Sequence, residues 1–126
     1  MEPGKKPLSS MAPSIVTDEN GDVKIVVGAA GGSKITTAVA QMIMRVLWFG
    51  ENVKEATDAP RIHHQLLPMQ VEYEYGTLEQ VVNGLFTIGH KLRRNGGSIV
   101  CTLLKEANYI VGNADHRKGG EVHGIM

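Results

Sequence analysis

Two short runs in this chain carry residue types that could do chemistry together. In Pro7-Leu8-Ser9-Ser10-Met11, the paired hydroxyls of Ser9 and Ser10 could hold a substrate carboxylate. About twenty residues on, in Gly28-Ala29-Ala30-Gly31-Gly32-Ser33, adjacent backbone N–H groups at Gly31 and Gly32 could hold a developing oxyanion. Together they read as half of an acyl-transfer site, because neither run has an obvious nucleophile or base beside it. Each also has a plain structural reading. Serines in a proline-bounded loop commonly serve as turn or cap residues, and a strand-to-helix turn needs glycine for its backbone angles alone. A phosphate loop does not fit: Gly32-Ser33-Lys34 reverses the Gly-Lys-Ser/Thr order of that motif, and Gly-x-Gly-x-x-Gly is absent.

The elements that must position these runs follow from periodicity. The prolines, Gly4 and the serine pair of residues 1–12 make a connecting loop that feeds a strand. Ser14-Ile15-Val16-Thr17 and Val23-Lys24-Ile25-Val26-Val27 are β-branched runs flanking Asn20-Gly21, which supplies the positive φ angles of a tight hairpin turn. The second strand runs into the glycine loop, and a helix over 33–49 follows, so the loop sits where free N–H groups and a positive dipole end make an anion site. Ile35, Val39, Met42, Ile43, Val46 and Phe49 mark that helix's apolar face; Met44, Leu47 and Trp48 broaden it, so cover on more than one side is expected. Gly50 closes it.

Asn52 can cap a short helix that Pro60 ends, and 61–68 reads as extended, which points His63 and His64 to opposite faces and denies them a shared metal. Residues 69–75 alternate Val71, Tyr73 and Tyr75 against Gln70, Glu72 and Glu74, a half-buried strand with its polar side to water. Thr77 and Gln80 resemble a capping box for a helix over 78–90. Asn95-Gly96-Gly97 marks a turn before strands at 98–104 and 107–111, and Asp115-His116-Arg117-Lys118-Gly119-Gly120 reads as a charged terminal loop. Arg61, Glu72 and Glu74 are solvated charges or pair partners, with no spacing that suggests paired-carboxylate catalysis. The result is an α+β arrangement with antiparallel hairpins and helices over one sheet face.

Composition narrows the class. The 126 residues are enough for one domain or part of one. The content of 42% hydrophobic and 21% charged residues is that of a globular chain. Lys plus Arg and Asp plus Glu both total 13, leaving no excess to drive binding to nucleic acid or an acidic membrane surface. The single Cys101 lies in an apolar strand-like run where cysteine behaves as a small buried hydrophobe, and it leaves the redox compartment open. No stretch reaches the roughly 18 apolar residues of a membrane span, and no signal-peptide core follows Met1.

Taken in order, several blocks resemble the C-terminal part of the gamma-glutamyltransferase (glutathione hydrolase) small subunit. They are Gly4-Lys5-Lys6-Pro7-Leu8-Ser9-Ser10-Met11, the Val26–Gly32 run with Ile35-Thr36-Thr37, Leu47-Trp48-Phe49-Gly50, Ala59-Pro60-Arg61-Ile62-His63-His64-Gln65-Leu66-Leu67-Pro68, and Asp115-His116-Arg117-Lys118-Gly119-Gly120. The resemblance implies an N-terminal-nucleophile hydrolase fold, a four-layer αββα sandwich made by self-cleavage of a precursor into large and small subunits. It implies attack by a threonine exposed on cleavage upon the gamma-glutamyl carbonyl of glutathione, giving an acyl-enzyme resolved by water or an acceptor amine. On this resemblance Ser9 and Ser10 bind the α-carboxylate, Gly31 and Gly32 form the oxyanion hole, and no cofactor is expected. The implied partners are glutathione or other gamma-glutamyl compounds and the large subunit or missing N-terminal part, at an extracellular or secreted location.

The chain departs from that pattern in one respect above all. The family's nucleophilic threonine stands upstream of the serine pair, whereas every threonine here follows Ser10. The acidic residue that receives the substrate amino group also lies upstream, and the arginine that grips the carboxylate belongs to the large subunit. His64 and His116 stand where asparagine and proline are common. Residues 1–126 are therefore expected to be a single partial domain, inactive alone and exposing apolar sheet and helix faces. The alternative expectation is a non-catalytic binding or interaction module derived from the enzyme light chain.

Overall fold

The computed structural model describes residues 2–124. Strand β1 (Ser14–Thr17) and strand β2 (Val23–Ala30) form the hairpin expected from Asn20-Gly21. Its turn is held by the Asp18 carboxylate, which accepts the N–H groups of Asn20 (2.9 Å) and Asp22 (3.0 Å), while Gly21 takes φ 85°. A single 3-10 turn, Gly32–Lys34, leads into helix α1 (Ile35–Leu47). Helix α2 (Val53–Asp58), strands β3 (Ile62–His63) and β4 (Val71–Tyr73), helix α3 (Glu79–Thr87) and strands β5 (Leu92–Arg94), β6 (Ile99–Glu106) and β7 (Tyr109–Ala114) complete the order.

Two sheets result. One is antiparallel in the order β1-β2-β6-β7; the other, β3-β4-β5, joins an antiparallel pair to a parallel one. The core lies between one face of the larger sheet and the two helices over it. Ile25, Val27, Val100 and Leu104 face Ile35, Ala38, Val39 and Met42 of α1 and Val53 and Ala56 of α2. Full burial of one such aliphatic side chain contributes about 1.5–3 kcal/mol, so this seam anchors both helices to the sheet.

The opposite face of the same sheet is bare. Ile15, Val26 and Leu103 stand in register across three strands and are 65%, 38% and 43% exposed. Strand alternation puts Cys101 on this side too, so it is exposed rather than buried as its apolar neighbours suggested. The far end of α1 behaves alike: Trp48 and Phe49, expected to be covered, are 73% and 68% exposed. Among the described residues no helix is long and apolar enough to cross a membrane.

Helix α2 carries the predicted cap in full. Asn52 Oδ1 accepts the Glu55 N–H at 2.9 Å, and the Glu55 carboxylate accepts the Asn52 N–H at 3.0 Å. Asn52→Ala is expected to lower stability by about 1 kcal/mol, read as a fall in the urea midpoint at unchanged slope. Helix α3 differs from its expectation. Thr77 Oγ1 donates to the Glu74 carbonyl (2.8 Å) instead of capping, Leu78 occupies the cap position, and no residue of α3 is buried. Strand β5 was not expected; at three residues it is too short to show a period, and its parallel pairing with β4 creates it.

Candidate functional site

The two runs that suggested chemistry leave the hairpin at the same end. Ser14 pairs with Val27; Ser10 stands four residues before the first and Gly31 four residues after the second. The pairing stops at Ser14 and Val27, so both runs leave the open end of the hairpin, and four residues reach at most about 14 Å from it. No hydrogen bond among the described residues joins the serines to the glycines. Ser9 Oγ instead accepts the N–H of Met11 at 3.1 Å, a local serine turn on an exposed loop.

Glycine is required at position 31 by contact as well as by angle. Gly31 has φ 137°, and a Cβ there would lie 2.5 Å from the Gly97 carbonyl oxygen and 2.9 Å from Ser98 Cα. Gly32 takes φ 60° with open space around it. The carbonyls of this pair turn inward: Gly31 accepts the Lys34 N–H at 3.2 Å, and Gly32 accepts the Ile35 N–H. Their own N–H groups find no acceptor among the described residues, and both glycines are exposed. Free donors at the entry to α1 favour negative charge. Lys34 braces the far side of the loop, its ammonium 2.7 Å from both the Gly96 carbonyl and Glu72 Oε2. That bond lowers the Glu72 carboxyl below its usual range; burial opposes the shift, and a hydrogen bond from Asn95 reinforces it.

Beneath the loop lies a buried ionic cluster. Arg61 Nη2 donates to the Ser98 carbonyl (2.9 Å) and to Asp115 Oδ2 (2.7 Å), while Nη1 reaches the Thr57 carbonyl (3.2 Å). Asp115 also accepts the N–H of Val100 (2.9 Å) and the backbone and guanidinium of Arg117 (3.0 and 2.9 Å). Glu74 accepts the Arg61 N–H (3.0 Å) and Arg117 Nη2 (2.6 Å). Arg61 thus fixes the Gly97-Ser98 backbone on which Gly31 rests. Burial pushes the Asp115 carboxyl up, but the N–H groups of Val100 and Arg117 and the two guanidinium groups outweigh it and hold the group at about 2.

Two expectations change here, and one open alternative is decided. Asp115 and Arg117, read as a charged terminal loop, are the hub of the cluster, and Asp115 is 2% exposed. Arg61 is a pair partner, not a solvated charge. Glu72 turns inward to Lys34 and Glu74 to Arg61 and Arg117, while Tyr75, assigned to the covered face, is 85% exposed. The one hint in the sequence is that Asp115 and Arg117 stand two apart directly after a strand. Among the described residues no group of three or more His, Cys, Asp or Glu side chains could hold a metal ion.

Comparison with known proteins places this geometry. The gamma-glutamyltranspeptidase family model matches residues 1–125. The chain is 46% identical over 126 residues to Scoloptoxin SSD20 of Scolopendra dehaani, covering 98% of this chain and 64% of that protein. It is 39% identical over 117 residues to the glutathione hydrolase proenzyme of Escherichia coli K12, covering 91% of this chain and 20% of that protein. An acivicin-inhibited gamma-glutamyltranspeptidase structure superposes with TM-score 0.87 at 35% identity, over 94% of this chain and 65% of that one. The chain therefore spans less than two thirds of each of these relatives.

Proposed function

Because the chain belongs to the gamma-glutamyltranspeptidase family and folds as part of the αββα sandwich of N-terminal-nucleophile hydrolases, we propose that it supplies two subsites for gamma-glutamyl transfer and glutathione hydrolysis. Ser9 and Ser10 bind the α-carboxylate of the gamma-glutamyl group, and the N–H groups of Gly31 and Gly32 stabilise the oxyanion formed at its carbonyl. The observation that carries this reading is the hairpin register, which brings both loops to one end of β1 and β2. The free N–H pair at the entry to α1 supports the second assignment.

The nucleophile in this reading is a threonine outside the 126 residues, since every threonine within them follows Ser10. Residues 1–126 form a single partial domain, the C-terminal portion of a small subunit. The bare apolar sheet face through Ile15, Val26 and Leu103 is the surface on which the remaining layers of the sandwich, from the large subunit or the N-terminal part, would pack.

The 126-residue polypeptide alone is expected to release no product from a chromogenic gamma-glutamyl amide above the uncatalysed rate. Assembly with a threonine-led segment of the same family is expected to restore release, and turnover by the polypeptide by itself would overturn the assignment of roles. A second reading is a non-catalytic module that binds gamma-glutamyl compounds or a large subunit, the latter across the bare sheet face through Ile15, Val26 and Leu103. Glutathione binding by the assembled protein with no hydrolysis would select it.

A further inference from the structure

We infer that Gln65 is a positioning residue for the Gly31-Gly32 loop, acting through Ser33 and itself oriented by His63; the inference rests on the oxyanion reading of that loop. Ser33 directly follows Gly32, and its Oγ lies 2.6 Å from Gln65 Oε1 across a gap of 32 residues in sequence. The Gln65 amide cannot swivel, because its Nε2 donates to the Leu67 carbonyl at 2.8 Å. Oε1 carries no hydrogen, so both of its neighbours must donate to it: the Ser33 hydroxyl, and His63 Nε2 at 2.9 Å.

The histidine closes a ring. His63 is buried at 8% exposure, and its Nδ1 is 2.8 Å from Thr37 Oγ1, which also stands 3.1 Å from the Lys34 carbonyl. With the imidazole neutral, the Thr37 hydroxyl donates to Nδ1; with it charged, that hydroxyl turns to Lys34. Either state leaves the Nε2 proton on Gln65. Gln65 therefore holds Ser33, the residue directly after the two glycines, in either state, and the ring runs on through His63 and Thr37 to Lys34 where the Thr37 hydroxyl turns to that carbonyl. The buried cluster under Gly97 fixes the loop from below; this ring fixes its exit into α1.

The test uses the 126-residue chain and no substrate, so it reports the ring whether or not the loop binds an oxyanion. The Lys34 and Ile35 amides, which close on the Gly31 and Gly32 carbonyls, serve as reporters in hydrogen exchange followed by NMR. Gln65→Leu and Ser33→Ala are each expected to speed their exchange about tenfold, and Ser33→Thr, which keeps the hydroxyl, to stay near the wild-type rate. Nitrogen shifts of the His63 ring are expected to show a protonated Nε2 in the wild type. Unchanged exchange in Ser33→Ala, equal rates for Ser33→Ala and Ser33→Thr, or a bare Nε2 would each overturn the inference. Undiminished gamma-glutamyl turnover by the assembled protein carrying Ser33→Ala, despite faster exchange, would instead count against the oxyanion reading.

Discussion

Alanine at position 31 is expected to cost the assembled enzyme about 100- to 1000-fold in turnover of a gamma-glutamyl amide, the scale of losing one oxyanion donor. The methyl group would sit 2.5 Å from the Gly97 carbonyl oxygen, where no Cβ is tolerated, and at φ 137°, where L residues are strained. The contacting atoms are backbone on both sides, so the loop must move and carry its N–H groups with it. Stability should fall as well, by about 2 kcal/mol, seen as a lower urea midpoint. Gly32→Ala provides the contrast: φ 60° is left-handed but open, so a penalty of about 1 kcal/mol and less than tenfold loss of turnover are expected. Wild-type turnover in Gly31→Ala would remove the assignment of that amide to the oxyanion.

The parts of the molecule legible in the sequence are those whose signal is local. The Asn20-Gly21 hairpin, the period of α1 and the Asn52-Glu55 cap each lie within a few residues, and each forms. What alternation cannot tell is which side of a strand will be covered. Residues 71–75 alternate cleanly, yet Glu74 turns inward because Arg61 and Arg117, 13 and 43 residues away, wait there. Asp115 meets Arg61 across 54 residues, so nothing near either one announces the pair. Cys101 illustrates the converse. Its run is apolar on both sides, yet among the described residues only the face of β6 turned to α1 and α2 is covered, and Cys101 lies on the other. The glycine loop was legible as a turn between a strand and a helix, but Gly97 as the reason for glycine at 31 was not, since it approaches from 66 positions along the chain.

Asp115→Asn is expected to destabilise the fold by about 3–5 kcal/mol at neutral pH. Arg61 and Arg117 would keep their charge in a buried site with only Glu74 left to balance it. The acid dependence should identify the carboxylate as the cause. The folded Asp115 titrates at about 2, below its ordinary 3.8, so its contribution is present above about pH 4 and is lost as pH falls toward 2. A shift of that size is worth on the order of 2 kcal/mol. Between pH 5 and pH 2 the wild type should therefore lose more urea stability than Asp115→Asn, and equal losses would show that the cluster carries no such linkage. Because Arg61 Nη2 bonds Asp115 and the Ser98 carbonyl together, the variant should also loosen the seat of Gly31. Faster exchange at the Lys34 amide in Asp115→Asn would tie the buried cluster to the loop. Arg61→Met combined with Asp115→Leu separates charge from shape: removing both members of the pair should recover part of the stability that Asp115→Asn alone gives up, since the buried Arg61 charge is gone and Arg117 keeps Glu74.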